Sequence, residues 1–406
     1  MNPLRWYLVS TAALLVPGGI QMVLFPWLIA VYLQESAERV GIAQMAGMLP
    51  GLVLILVGGV VGDRVDQVRI LRNAHLLAAV PALGLALLIG SENISYGLIL
   101  GYAIIGGIIG SIAQPARDAL LSRVAGEDIQ RTVTMVIGLQ FGIQIIGFGF
   151  GGLADRVGPV PLLTMQAVLM ALGAAAVTRM RLPARPARCS EQHALRQIVD
   201  GVRYALGSSR IRPAIALYCA VGLFFAGTYM VWLPLMVRDF YHGSAWGISL
   251  AFASNMAGTV VTTSVLVWRG GIRRQGRALI VASFLSCLVL LVLSRGLSYP
   301  LFFTATFLWG ICGGVSMTMS RTIVQEASPP EYLARIMSVF SLGLMGGMPL
   351  GSLMMGYLIG AWGPLDAALV PVGGVALTML LITLLTDLWQ QTSGPVPATV
   401  ESNQAS

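Results

Sequence analysis

Two Arg–Glu–Arg triplets hold the charges best spaced to act together: Arg117, Glu127 and Arg131, and, 204 residues further on, Arg321, Glu331 and Arg335. A carboxylate between two guanidiniums forms charge-assisted pairs that clamp two segments and release them as a unit. Asp63, followed by Arg64, offers one more such pair. For bond making the chain has no HExxH or GxSxG motif. Glycines travel with the triplets, because Gly106, Gly110, Gly142, Gly147 and Gly152 recur at the same offset as Gly310, Gly314, Gly346, Gly351 and Gly356. Only 10% of the chain is charged, so the three charged coincidences carry the comparison, and the offset is about half of 406. The chain reads as two copies of one unit, each with a charged hinge between two apolar helices.

The elements that position these groups are membrane helices. A mean hydropathy of +0.80 with 56% apolar residues excludes an ordinary soluble domain. Apolar runs long enough to cross a bilayer lie at about 6–33, 40–62, 73–90, 94–116, 132–154 and 158–178. Six more follow at about 213–237, 245–268, 278–294, 298–320, 336–359 and 366–387. The first run is too long for a signal-peptide core and is read as an uncleaved span. Long unbroken runs call for helices and not a barrel, because backbone groups in lipid must pair within their own segment.

This divides the chain into a six-helix bundle over 1–180, a central loop over 181–212, a second bundle over 213–388 and a polar tail over 389–406, expected to be disordered. In the loop Leu195, Ile198, Val199, Val202 and Leu206 recur at helical spacing with Arg196, Asp200 and Arg203 opposite. That is an amphipathic helix for the membrane surface, or for a partner. All 25 basic residues are Arg, in keeping with a GC-rich bacterial coding sequence. Twenty-one of them fall at the termini, the central loop and the even-numbered connections; Arg39, Arg156, Arg238 and Arg295 fall opposite. The Arg-rich side is therefore cytoplasmic and holds both termini. The net charge of +8 is thus topological and implies no nucleic acid. Cys189, Cys219, Cys287 and Cys312 form no CxxC pair and read as space-filling thiols, with no metal site and no cofactor.

At the first Arg-rich connection stands Gly59-Val-Val-Gly-Asp63-Arg64-Val-Asp66-Gln-Val-Arg69. It resembles the loop motif G-x-x-x-D-R-x-G-R-R of the major facilitator superfamily. Gly59, Asp63 and Arg64 match, Asp66 replaces the second Gly, and the basic pair is reduced to Arg69 and Arg72. Gln114-Pro-Ala-Arg117-Asp-Ala-Leu-Leu, Asp200-Gly-Val-Arg-Tyr204 with Ile211-Arg212, and Arg335-Ile-Met-Ser-Val-Phe through Gly346-Gly-Met-Pro-Leu-Gly351 are similar to the branch that includes enterobactin and macrolide exporters. The resemblance implies the major facilitator fold: an all-α membrane protein of twelve helices in two pseudo-twofold-related six-helix bundles. It also implies that Asp63, Arg64 and the two triplets latch the halves together on the cytoplasmic side when the pocket faces outward. The competing reading, that these Arg only anchor topology, is preferred for Arg69, Arg72, Arg123 and the central-loop Arg.

Glycines crowd the fifth and eleventh spans, with Gly147, Gly151 and Gly152 in one and Gly347 and Gly351 in the other, while Gly59 ends the second. Small residues let helices approach closely and slide. Gly147-Phe-Gly-Phe-Gly151-Gly152 resembles the family's antiporter motif G-x-x-x-G-P-x-x-G-G, with Ile143 for the first Gly and Phe148 for the Pro.

No Asp, Glu, Lys or Arg falls inside a span as drawn, and His75 lies at a span end. A titratable carboxylate at the midplane is therefore missing. Proton coupling would run through Asp63, Asp118 or another helix-end group, or the protein is a facilitator. A pocket for strongly charged cargo is disfavoured. Neutral polar and aromatic groups remain for substrate: Gln21, Gln140, Gln144 and Asn255, with Tyr102, Tyr229, Trp232 and Trp309 on the fourth, seventh and tenth helices that border the family's central cavity. Such a lining suits bulky, amphipathic, neutral molecules, though each residue could instead serve helix packing. The expectation is a monomeric exporter of small organic molecules in the bacterial inner membrane, with no catalytic residues. An importer or facilitator of a neutral metabolite, a lysolipid transporter, and a non-transporting sensor are the alternatives.

Overall fold

The computed structural model describes residues 3–62, 66–124, 129–180 and 194–392. Twelve long helices run through them: α1 (Pro3–Tyr32), α2 (Ala37–Gly62), α3 (Gln67–Gly90), α4 (Tyr96–Val124), α5 (Ile129–Gly151) and α6 (Pro159–Thr178). After a linker helix (Ala194–Gly207) come α7 (Ile211–Phe240), α8 (Ala245–Trp268), α9 (Gln275–Leu293), α10 (Tyr299–Ala327), α11 (Leu333–Ala367) and α12 (Leu369–Leu385). Nine of them, among the described residues, are long and apolar enough to cross a bilayer. The chain is a multi-pass membrane protein.

Helix pairing repeats between the halves. α1 packs on α5, α2 on α4 and α3 on α6; in the same order α7 packs on α11, α8 on α10 and α9 on α12. The main contacts between halves, α2 with α11 and α5 with α8, are also each other's image under that exchange. Turn chemistry repeats as well. Gly158 before Pro159 has φ 77° and ψ 172°, and Gly363 before Pro364 has φ 79° and ψ 168°. A side chain is poorly tolerated at positive φ, and the Pro after each Gly begins a new helical segment, α6 at Pro159 and the stretch beyond the kink of α11 at Pro364, without needing an N–H.

Close glycine contacts set the helix spacing. A Cβ on Gly147 would lie 2.8 Å from Gly19 Cα, joining α5 to α1. A Cβ on Gly351, its repeat partner, would lie 1.9 Å from the carbonyl oxygen of Leu223, joining α11 to α7. α7 itself opens into π turns at Val221–Ala226, Thr228–Trp232 and Met236–Phe240. Backbone cannot yield as a side chain can, so Gly351→Val is expected to cost on the order of 3 kcal/mol by overpacking. It should lower the thermal unfolding midpoint in detergent, whereas Gly101→Val, which meets nothing within 4 Å, should not.

Three expectations need correction. The linker helix docks on protein and does not simply lie on a membrane surface. Gly201 sits against the backbone of Arg335, Tyr204 stacks on Tyr332 with centroids 5.1 Å apart, and Ala205 is buried. Its Gly201, Tyr204 and Ala205 face thus covers the base of α11. The tail is ordered at its start, because Trp389 lies under Arg277 at 5.5 Å and Gly276 N donates to the Gln391 carbonyl at 3.2 Å; residues 393–406 lie outside the described residues. His75 is wholly buried, with Nε2 2.9 Å from Ser10 Oγ, because α3 begins at Gln67 and carries it inside the bundle.

Candidate functional site

The two halves are fastened together at their Arg-poor ends. Asp155, in the turn after α5, accepts from Trp27 Nε1 of α1 at 2.8 Å through one oxygen. Its other oxygen accepts from the backbone N–H of Ala245, the first residue of α8. A carboxylate there satisfies an orphan donor and meets the positive end of the helix dipole. Beside it Ser249 Oγ donates to the Phe148 carbonyl at 2.7 Å, and a Cβ on Gly152 would lie 2.8 Å from Ser249 Cβ.

Arg238 of α7 reaches across to the carbonyls of Ala30, at 2.9 Å, and Glu35, at 3.1 Å, while Asp239 balances its charge. At the symmetric seam α2 meets α11 so closely that a Cβ on Gly41 would lie 2.7 Å from the Ser352 carbonyl oxygen and 3.0 Å from Gly356 Cα. Gly152 and Gly356 are repeat partners, and each lies at an inter-half contact. Between α5 and α8, Phe148 and Phe252, both fully buried, meet at a tilt across the halves with centroids 5.8 Å apart, and Tyr229, Trp309 and Phe225 extend the aromatic cluster.

A cavity of about 450 Å³ lies inside the first six helices, lined from α1, α2, α3, α4 and α6. Gln21 and Tyr102 line it, with Tyr102 Oη donating to Gln21 Oε1 at 3.0 Å. Its polar wall also includes Gln44, Gln166 and Arg117. Arg117 was expected at the rim as part of a latch. Because α4 continues as helix to Val124, Arg117 lies within the bundle, 5% exposed, with one nitrogen 3.5 Å from Asp118. A buried cation thus faces a cavity for which neutral lining was expected.

The remaining expected cavity residues lie elsewhere. Gln144 rests its amide on Met22 Sδ at 3.0 Å, between α5 and α1, and Gln140 is half-buried on the same helix. Asn255 Nδ2 donates to the Thr306 carbonyl at 3.3 Å, a bond from α8 to α10. Trp232 is fully buried and donates to the Pro364 carbonyl, so its indole packs the turn before α12 and does not face the cavity. Gly347 packs on the backbone of Gly222 and Leu223, and Gly151 on Ile20 and Val23.

Of the charged positions, Arg335 reaches Asp200 of the linker helix at 3.6 Å, and Arg321 and Glu331 are exposed. Asp63, Arg64 and Glu127 lie outside the described residues, as does the side chain of Arg131, while Gly59 lies within α2. Arg123, read as an anchor, bonds Gln67 at 2.9 Å and lies 3.8 Å from Asp66, which also caps α3 through Val68 N. Asp155, Trp27 and Gly41 escaped the sequence reading. The sparse charges of the Arg-poor side were the available signal.

The family model described as the Major Facilitator Superfamily matches residues 7–352. The chain is 26% identical over 381 residues to the multidrug efflux pump Tap of Mycolicibacterium fortuitum, covering 89% of this chain and 90% of that one. It is 24% identical over 392 residues to the enterobactin exporter EntS of Citrobacter koseri, covering 94% and 89%. Among solved structures it is similar in fold to the nucleoside transporter NupG, with a TM-score of 0.75, 14% identity and coverage of 95% and 99%.

Proposed function

Because the chain belongs to the major facilitator superfamily, we propose that it exports small amphipathic organic molecules across the bacterial inner membrane by alternating access, with both termini cytoplasmic. The two halves, residues 1–180 and 213–388, rock about the α2–α11 and α5–α8 contacts, joined by residues 181–212. The observation that carries this reading is the seam: among the described residues, paired, repeat-related glycine contacts between the halves, Gly41 with Gly356 and Gly152 with Ser249, lie toward the Arg-poor ends of the helices, as a two-state gate requires. Arg-poor ends face outward by the distribution of charge, so the present arrangement is closed to the outside. The named activities of similar chains, drug efflux and siderophore export, support the outward direction.

In this reading the transporter works as a monomer in the bilayer and acts on no covalent bond. The charges left at the Arg-rich ends, Asp63 with Arg64, Glu127 with Arg131, and Arg321, Glu331 and Arg335, pair when the outer seam opens. Neutralising Arg131 and Arg335 together should slow transport by about tenfold, the loss of about 1.4 kcal/mol, without preventing membrane insertion. Unaltered flux in that double variant would leave the triplets as topological anchors.

Direction is tested by accumulation of fluorescent and antibiotic compounds in cells with and without the protein. Export lowers accumulation; a rise identifies an importer. Reconstitution into liposomes with and without a proton gradient then reports coupling, and absence of any flux would identify a sensor.

A further inference from the structure

The two halves share a plan but not an interior. Arg117 is buried in the wall of the cavity within the first half, whereas its repeat partner Arg321 is exposed. Two side chains of that wall, Arg117 and Gln166, are 5% and 4% exposed, and each has a buried nitrogen with no partner, Nε in Arg117 and Nε2 in Gln166. Both orphans are donors. The other amides of the wall are already engaged: Gln21 Oε1 accepts from Tyr102, Gln44 Nε2 donates to the Met230 carbonyl at 3.4 Å, and Gln114 Nε2 donates to Asp118 at 3.4 Å. A buried donor without an acceptor costs about 1–3 kcal/mol, more when charged, and the cost is recovered when an acceptor enters.

Among the described residues, the counter-charge beside Arg117 is Asp118 at 3.5 Å, whose side chain is 59% exposed and is therefore well solvated. It leaves the guanidinium incompletely neutralised on the cavity side. Elsewhere the wall is apolar, with Leu14, Phe25, Ile109 and Met170. The volume of about 450 Å³ falls in the range of about 300–1,000 Å³ typical of small-molecule sites.

We propose that this cavity binds an amphipathic molecule bearing one anionic head group, its apolar body among Leu14, Phe25 and Met170 and its anion on Arg117 and Gln166. The cavity is lined by residues of the first half, and Gln44 of its wall bonds the Met230 carbonyl of α7 in the other half. It deepens the export reading by assigning a charge class to the cargo, and rests on that reading only for the identification of guest with cargo. A carboxylate or sulfonate on a fused-ring skeleton has the required chemistry, and so does an anionic lipid.

The test uses the full chain in nanodiscs of neutral lipid with two fluorescent probes that differ by a single group. Anilinonaphthalene sulfonate carries the anion, and N-phenylnaphthylamine is the same skeleton without it. The sulfonate should bind at least about tenfold more tightly, as one charge-assisted contact allows. Arg117→Gln should erase that preference and leave naphthylamine affinity within about twofold, while Arg117→Lys keeps part of it. Gly110→Leu fills open cavity space, since a Cβ there meets nothing within 4 Å, and should weaken both probes.

Equal affinity of the wild-type protein for the two probes overturns the proposal, as does an undiminished preference in Arg117→Gln. If that variant aggregates, the wild-type comparison and Gly110→Leu decide. Repeating the titration in discs of phosphatidylglycerol separates the sources: suppressed sulfonate binding marks an anionic lipid as the guest, persistent binding a solute. Selective binding without cellular efflux defeats export and leaves this site standing; efflux with unselective binding does the reverse.

Discussion

Asp155→Ala is expected to reduce the initial rate of transport in proteoliposomes about tenfold. Asp155 accepts from Trp27 on α1 and from the first N–H of α8, so one carboxylate ties the two halves together. Hydrogen bonds to an ionised group are worth about 1.5–3 kcal/mol, and partial exposure of Asp155 brings the pair to the lower end. A loss of about 1.4 kcal/mol shifts the balance between closed and open seam tenfold. Asp155→Asn keeps an acceptor for one of the two donors and should fall between. The variant should still reach the membrane, because no helix core is touched. Wild-type flux in Asp155→Ala would show that the seam closes without this carboxylate.

Gly41→Val should go further and abolish measurable transport. The new side chain would point into the Ser352 carbonyl and Gly356 Cα, so α2 and α11 would have to separate. Overpacking of this kind costs about 1–3 kcal/mol when the neighbours can yield, and here they are backbone. Because the clash lies between the halves and not within one, each bundle should retain its fold. Helical circular dichroism and membrane insertion are the measurements that separate a jammed transporter from an unfolded one. Gly101→Val, placed where a Cβ meets nothing within 4 Å, is the matched control. Full activity in Gly41→Val would mean that this contact is not used in the cycle.

Much of the architecture was legible because lipid makes helix content and helix ends obligatory. Backbone in hydrocarbon must satisfy itself, so apolar run length and Arg distribution were enough to mark twelve spans. The 204-residue offset also held physical content: Gly152 and Gly356 meet at the two symmetric seams, and Gly147 and Gly351 at the two equivalent contacts inside the halves. Individual side chains were much less legible. Trp232, Asn255 and Gln144 are as polar or aromatic as Gln21 and Tyr102, yet they bond neighbouring helices. Which face of a span looks inward depends on its rotation, and an apolar helix in lipid carries little amphipathic signal to fix that rotation.

Composition and spacing alone therefore determined that this chain is a twofold-repeated bundle of membrane helices with most of its Arg at one side. Tertiary structure decided where those helices touch. It moved Arg117 from the rim to the wall of a cavity by extending α4 beyond its apolar run. It brought Asp155 to the start of α8, 90 residues away, where a carboxylate on the Arg-poor side gains a helix terminus as partner. Both outcomes depend on packing between helices distant in sequence, and hydropathy along a single chain does not encode it.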